Sequence, residues 1–290
     1  MKEYIILTDS SCDLPANIVK ELGIEVIPLS VTVENKTYLN YPDGRDIGFK
    51  EFYDLLREKK TAVTSAINLE GAMSAMRPHL EAGRDILYMA FSAALSSTCS
   101  AAVMAAVELK EEFPERKILV IDTMCASLGQ GLLVYLTALE KKKGCTIEQA
   151  LAFAEKTRPN LAHWFTVDDL GHLKRGGRVS AATAVVGSVL NIKPVMHVDY
   201  QGRLINVDKA RGRKNSIRAM LDKMKATAID PANQTVFISH GDCLEDAEFL
   251  AGLIRQEWGV KDIVINYVGP VIGAHTGPGV LALFFLGTER

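Results

Sequence analysis

Short apolar runs alternate with amphipathic segments through the first half of this chain, and few architectures accept that pattern. Tyr4 to Leu7, Asp85 to Phe91 and Lys117 to Ile121 are of strand length and largely apolar. Glu25 to Val33 looks extended. Helical segments fall between and after these runs: Pro15 to Leu22, Gly48 to Glu58, a stretch from near Leu69, a Ser/Ala-rich one from near Ser96, and Ser127 to Lys142. Strands without polar alternation are buried on both faces, so the pattern predicts an α/β fold with a parallel sheet. Ligand sites in such sheets lie at the carboxyl ends of strands, where loops lead into helices.

The second half changes character. Ile192 to Val198 and Arg203 to Lys209 flank Asp-Tyr-Gln-Gly, the signature of an antiparallel hairpin. A helix from Asn215 to Lys225, a strand from Thr235 to Ser239, a helix from Leu244 to Trp258 and a strand from Asp262 to Tyr267 follow. With 290 residues the chain exceeds one typical core. Two domains are therefore expected: residues 1–160 as an N-terminal α/β domain with a parallel sheet, and 161–290 as a C-terminal α+β domain with antiparallel strands. A ligand would sit in or between them.

Charge and cysteine content narrow the class. Apolar residues make up 48% and charged ones 23%, with a net charge of −2. That balance opposes a general nucleic-acid field, although a local basic patch stays open. The five cysteines are odd in number and form no C-x-x-C pair, so neither a disulfide framework nor a thiolate metal site is expected. No apolar run reaches membrane-span length, and the N-terminus lacks a signal-peptide core. A cytoplasmic protein without stable membrane insertion is the expectation.

Five polar segments are candidates for chemistry. Ile272-Gly-Ala-His-Thr-Gly-Pro-Gly279 places His275 among three glycines after an apolar run, Ile263 to Val271, that reads as a strand. It is either a tight turn with a bonded histidine or an anion site with free amides around an imidazole. In Thr8-Asp-Ser-Ser-Cys-Asp-Leu-Pro15, Asp13 reads as a helix cap, whereas Asp9 and Ser10 are the residues expected to face a cleft. Thr64 and Ser65 can cap a helix or hold an oxyanion. Ser92, Ser96, Ser97 and Thr98 cluster at a helix start, where free amides and the helix dipole favour an anion. Asp168 to Arg178 reads as a compact cationic turn around Gly176-Gly177, and Lys209, Arg211, Arg213 and Lys214 form a second basic cluster. Walker A, nucleophile-elbow and zinc-protease motifs are absent, and Gly129-Gln-Gly131 lacks the third glycine of a dinucleotide loop.

Taken in order, these segments resemble the DegV family, which includes the lipid-binding FakB subunits of bacterial fatty acid kinase. The pieces are Thr8 to Pro15, Thr64-Ser65, Ser92 to Thr98, Ile121-Asp-Thr with Ser127 to Gly131, Leu173 to Ser180, Leu190 to Pro194, Arg211 to Lys214, and Gly269 to Gly279. They span nearly the whole chain.

The resemblance implies two α/β domains holding a long-chain fatty acid, with no cofactor. Its carboxylate would meet Thr64, Ser65, Ser92 and Ser96, with His275 nearby; Asp9, Ser10, Ser97 and Gly273 are secondary candidates. A separate ATP-binding kinase subunit would phosphorylate the acid to an acyl-phosphate for phospholipid synthesis, with Arg178 and Arg211 at the docking or phosphate contact. The chain itself would then be a carrier without catalytic residues or metal. Val185, Val186, Val189, Leu190, Ile192 and Met196 are candidate tail contacts. One departure stands out: the family's serine loop usually reads Ser-Ser-x-Leu-Ser-Gly-Thr, and here Ala93 and Ser97 replace the second serine and the glycine. Two alternatives remain open at this point: a serine hydrolase or transferase using His275, and a lipid-sensing module without a kinase.

Overall fold

The computed structural model describes residues 3–179 and 191–290. Thirteen strands and ten α-helices are named below in chain order among those residues. The tail candidates Val185, Val186, Val189 and Leu190 lie outside them.

The first sheet has the order β2-β1-β6-β7, with all neighbours parallel. It is built from β1 (Tyr4–Asp9), β2 (Ile24–Ile27), β6 (Asp85–Ala90) and β7 (Ile118–Asp122). Every residue of β1 and β6 is buried, which is why these strands read as largely apolar runs without polar alternation. One face, with Ile5, Leu7, Ile86 and Tyr88, packs on α3 (Leu69–Glu81) and α4 (Thr98–Glu112). The other, with Ile6, Leu87 and Met89, belongs to a core that includes α5 (Leu128–Lys142) and α6 (Ile147–Thr157). Helix α1 (Ala16–Leu22) lies beside α5.

The second sheet has the order β10-β9-β8-β13-β11-β12. Its strands are β8 (Leu161–Thr166), β9 (Ile192–Val198), β10 (Leu204–Arg211), β11 (Val236–His240), β12 (Ile263–Tyr267) and β13 (Leu281–Leu286). Only β11 and β12 run parallel; the expected hairpin is β9–β10. Side-chain alternation splits this sheet into two faces. Ala162, Trp164, Ile238, Leu281, Leu283 and Phe285 pack on α8 (Arg213–Thr227) and α9 (Leu244–Trp258). Phe165, Phe237, Ala282 and Phe284 join the same core as α5. Helix α5 is thus sandwiched between the two sheets, which accounts for its nine buried positions.

A third sheet was not expected. Strand β3 (Ser30–Val33) pairs antiparallel with β4 (Lys36–Leu39) and β5 (Ala62–Ser65). It packs on α2 (Phe49–Arg57) through Val31, Val33, Tyr38, Phe52 and Tyr53. Two further differences concern the site. The apolar run ends as a strand at Tyr267, and Pro270–Thr276 forms helix α10, so His275 lies in a helical last turn rather than a tight turn. The supposed cationic turn begins with helix α7 (Leu170–Arg175), capped by Asp169 accepting from the Gly171 amide at 2.7 Å.

Candidate functional site

A cavity of about 280 Å³ lies where the first sheet's loops, α5, α10 and the α5-facing side of the second sheet meet. That is near the lower end of the roughly 300–1,000 Å³ of small-molecule sites. Its wall is mostly apolar (Leu29, Phe91, Leu95, Phe165, Leu173, Val198, Val268, Val271, Phe284 among others), with polar groups at two levels.

The rim is assembled from four separate segments. Thr64, near the end of β5, bonds through Oγ1 to Nε2 of His275 at 2.8 Å. Ser65 lies beside it, and Ser96 and Ser97 enter from the loop before α4. Arg178, after α7, closes the ring; its Nε donates to the Leu95 carbonyl at 3.2 Å and its Nη1 to the Gly176 carbonyl. Burial, reinforced by the Arg178 charge, pushes the His275 imidazole down to about 4, so the ring is neutral at ordinary pH. Gly176 makes the approach possible, since a Cβ there would overlap Nδ1 of His275. Gly176 is therefore a packing seat for the histidine, while Gly177, at φ 71°, serves the turn.

The inner level is more buried. Ser127 donates to Asp13 Oδ2 at 2.6 Å and lies 2.9 Å from the Ser239 hydroxyl. Asp13 Oδ1 accepts from the Gly269 amide at 2.9 Å. Burial pushes the Asp13 carboxyl up to about 7, against the opposing pull of its bonds from Ser127 and Gly269. Ser127 itself sits at φ 52° and ψ −143°, an uncommon backbone conformation for a side-chain-bearing residue. His163, from β8, completes this level.

Several expectations need correction. Asp13 is no mere helix cap: it bridges the loop after β1 to Ser127 and to Gly269 ahead of α10. Asp9 and Ser10 do not line the cavity. Asp9 is fully buried and accepts from the Ser11 and Phe91 amides at 3.1 and 3.0 Å, while Ser10 Oγ accepts from the Leu29 amide. They hold Ser11, Phe91 and Leu29, which do line it. Ser92 is also absent from the wall, its hydroxyl being donated to the Gly202 carbonyl at 2.9 Å. Ala93 is exposed and outside the lining, so the missing family serine is not a missing wall group. Gly273 packs on Phe52 and Tyr53. Met196 is fully buried in the core and Ile192 is half-buried, both away from the wall. Arg211 is exposed and does not reach the cavity, whereas Arg178, expected at a partner contact, is part of the rim.

Sequence reasoning missed Ser11, Ser127, His163 and Ser239 as wall residues. The signal for Ser127 was present in Ser127-Leu-Gly-Gln-Gly131. His163 gave none, being one polar residue inside an apolar strand.

The model of the DegV family, described as an uncharacterised protein family, matches residues 4–288. The chain belongs to the DegV family. A DegV domain-containing protein of Clostridium perfringens is 45% identical over 100% of this chain and 99% of its own. Among solved structures, a fatty-acid-binding DegV family protein from Thermus thermophilus is 30% identical, covers 99% of this chain and 100% of its own, and superposes with a TM-score of 0.87. A DegV lipid binding protein from Thermotoga maritima is 27% identical, with 99% of each chain covered and a TM-score of 0.87. The two-domain DegV architecture, with a parallel-sheet N-terminal part and a mixed, largely antiparallel C-terminal sheet, is thus shared along the whole length. Among the described residues of this DegV chain, no helix is long and apolar enough to cross a membrane.

Proposed function

We propose that this chain binds one long-chain fatty acid in the cavity and presents its carboxylate at the rim to a separate ATP-binding kinase subunit, which converts it to an acyl-phosphate. The observation that carries the reading is the combination of an apolar cavity with a rim of Thr64, Ser65, Ser96 and His275 beside one cation, Arg178. The fatty-acid binding of the Thermus relative and the lipid binding of the Thermotoga one support the ligand class.

The energetics fit. Burying the methylenes of such a tail at about 0.8 kcal/mol each offers on the order of 10 kcal/mol before ordering costs. Hydrogen bonds to a charged head contribute roughly 1.5–3 kcal/mol apiece, partly offset by desolvation. The tail sets affinity, and the rim sets which end faces out. Because His275 is neutral, Arg178 supplies the rim's positive charge. The kinase handover rests on the sequence resemblance and on exposed Lys174, Arg175, Arg211 and Lys214, which offer basic surface to an acidic partner.

The serine-hydrolase alternative fits less well. His275 bonds Thr64 rather than a serine, and its Nδ1 has no carboxylate to orient it. Asp13 reaches Ser127 directly, with no imidazole between them.

Native mass spectrometry of the purified protein, with lipid analysis of its extract, tests the binding step. One retained fatty acid per chain supports the carrier. A protein that is empty and refuses added fatty acid ends this reading. Addition of a fatty acid kinase ATP-binding subunit with ATP then tests the handover through acyl-phosphate formation.

A further inference from the structure

Strand register shows where the cavity ends. Strand β8 leads into α7 and Arg178, and β13 starts shortly after α10 and His275. The rim end of both antiparallel strands is therefore the Thr166–Leu281 pair. Moving away from the rim, the wall positions on the α5-facing side are Phe165 with Ala282, then His163 with Phe284. The next pair on that face, Leu161 with Leu286, is no longer wall and packs in the core. Along these strands the lined stretch stops at His163 and Phe284.

That stop is held in place. The two rings meet edge-on, with centroids 5.3 Å apart and planes at 88°. The Leu161 carbonyl, which can only accept, takes the Nδ1 proton of His163 at 2.9 Å. The Nε2 edge of His163 is turned away from the cavity, onto α5 at Gly129, where any Cβ would overlap it. His163 is 1% and Phe284 3% exposed. An imidazole fixed on three sides leaves Phe284 no room to swing back, since close-packed interiors yield little.

Ala282 has the opposite character. It lies one inward-facing position nearer the rim than Phe284, between Phe165 and Ser239 across the sheet. Its neighbours on the wall along the chain, Val280 and Phe284, are larger, so the wall recedes at Ala282.

We propose that Phe284, backed by His163, is the end stop for the terminal methyl of the acyl tail and sets the longest acid this cavity accepts, with Ala282 leaving the room to reach it. The proposal rests on the fatty-acid reading above and specifies the substrate class within it. Each further methylene that fits raises affinity about fourfold. One that does not fit must displace a packed ring or push the head group out of the rim, so the trend reverses.

The test is displacement of a fluorescent fatty acid from delipidated protein by straight-chain saturated acids of even length, from decanoic to docosanoic acid. In the wild-type protein, affinity should rise to one optimum and fall about tenfold or more for the acid two carbons longer. Phe284→Val, which shortens the stop and suits a strand, should move the optimum up by about two carbons. Ala282→Val, which narrows the path, should move it down. A merely structural role would lower all the acids together and leave the optimum where it was. Circular dichroism checks folding, and if one variant misfolds the other decides. The proposal is overturned if the wild type shows no cut-off across the series, or if the folded variants keep the wild-type optimum. Failure of all the acids to bind would instead sink the fatty-acid reading itself.

Discussion

The Ser127 hydroxyl donates to the Asp13 carboxylate at 2.6 Å, joining the loop after β1 to the start of α5 at the buried inner wall. The same carboxylate accepts the Gly269 amide, and the Asp13 carbonyl accepts from Asn266 at 2.8 Å. One short side chain therefore ties the first sheet's loops to the segment that carries His275. Because the cavity is bounded by the elements this carboxylate connects, its integrity and that of the site are linked.

Asp13 should leave a mark on the pH dependence of stability. Its folded value, raised to about 7 by burial, exceeds the ordinary 3.8 of the unfolded chain. The folded state thus binds the proton more tightly, and this residue's contribution falls as pH rises from about 4 to about 7. The total is on the order of a few kcal/mol. Asp13→Asn loses one acceptor but cannot ionise. Its stability deficit relative to wild type should be largest near pH 4 and shrink toward pH 7. Urea denaturation of both proteins across that range measures the difference, and a deficit that grows with pH would contradict the assignment.

Gly176→Ala tests the seat of His275. The backbone there is ordinary, at φ −73°, so alanine brings no strain of its own. Its Cβ would nevertheless overlap Nδ1 of His275, and the ring must move off Thr64. The expected result is a folded protein whose fatty-acid affinity falls about tenfold or more. Unchanged affinity would mean that the histidine does not contribute to the head group.

How far the sequence announces this molecule varies with the physical signal. The strands buried on both faces were legible because β1 and β6 carry continuous apolar runs at residues 4–7 and 86–90, and the β9–β10 hairpin because Asp-Tyr-Gln-Gly marks its turn. The three-stranded sheet was not: β4 is Lys-Thr-Tyr-Leu, with only Tyr38 buried, and carries too little pattern to register. Helix α7 hid in a stretch whose glycines and charges look like a loop. The rim hydroxyls could be picked out because they cluster at segment ends. The inner wall could not, since the place of His163 depends on which face of β8 meets α5. Asp13 was misread for a related reason: a short carboxylate before a helix is equally suited to capping, and only the tertiary structure brings Ser127 and Gly269 to it.

Thr64→Val removes one hydroxyl at nearly constant volume. It breaks the 2.8 Å bond to His275 and withdraws a hydrogen-bonding group from the rim. A loss of roughly 1–3 kcal/mol in fatty-acid binding is expected. Ser96→Ala should cost less, because Ser96 Oγ is already engaged by the amide of Thr98 at 3.2 Å and its hydroxyl at 3.0 Å. Calorimetric titration of the two delipidated variants ranks them, and the reverse order would show that the serine loop dominates head-group recognition.

Arg178 and Arg211 should separate when each is replaced by alanine. The sequence pairs them as partner contacts, but Arg178 lies in the cavity rim, bonded to the Leu95 carbonyl, while Arg211 is exposed at the end of β10. Arg178→Ala removes the cation nearest the carboxylate, so lipid affinity and kinase-dependent acyl-phosphate formation should fall together. Arg211→Ala should leave lipid binding intact and weaken only the kinase-dependent step, more so as salt is lowered, where surface charge counts most. Lipid binding by titration and acyl-phosphate yield with an added kinase subunit give the two readouts. If Arg178→Ala retains full lipid affinity and loses only phosphorylation, then Arg178 contacts the partner or the transferred phosphate, and the carboxylate is held by the neutral groups Thr64, Ser65, Ser96 and His275 alone.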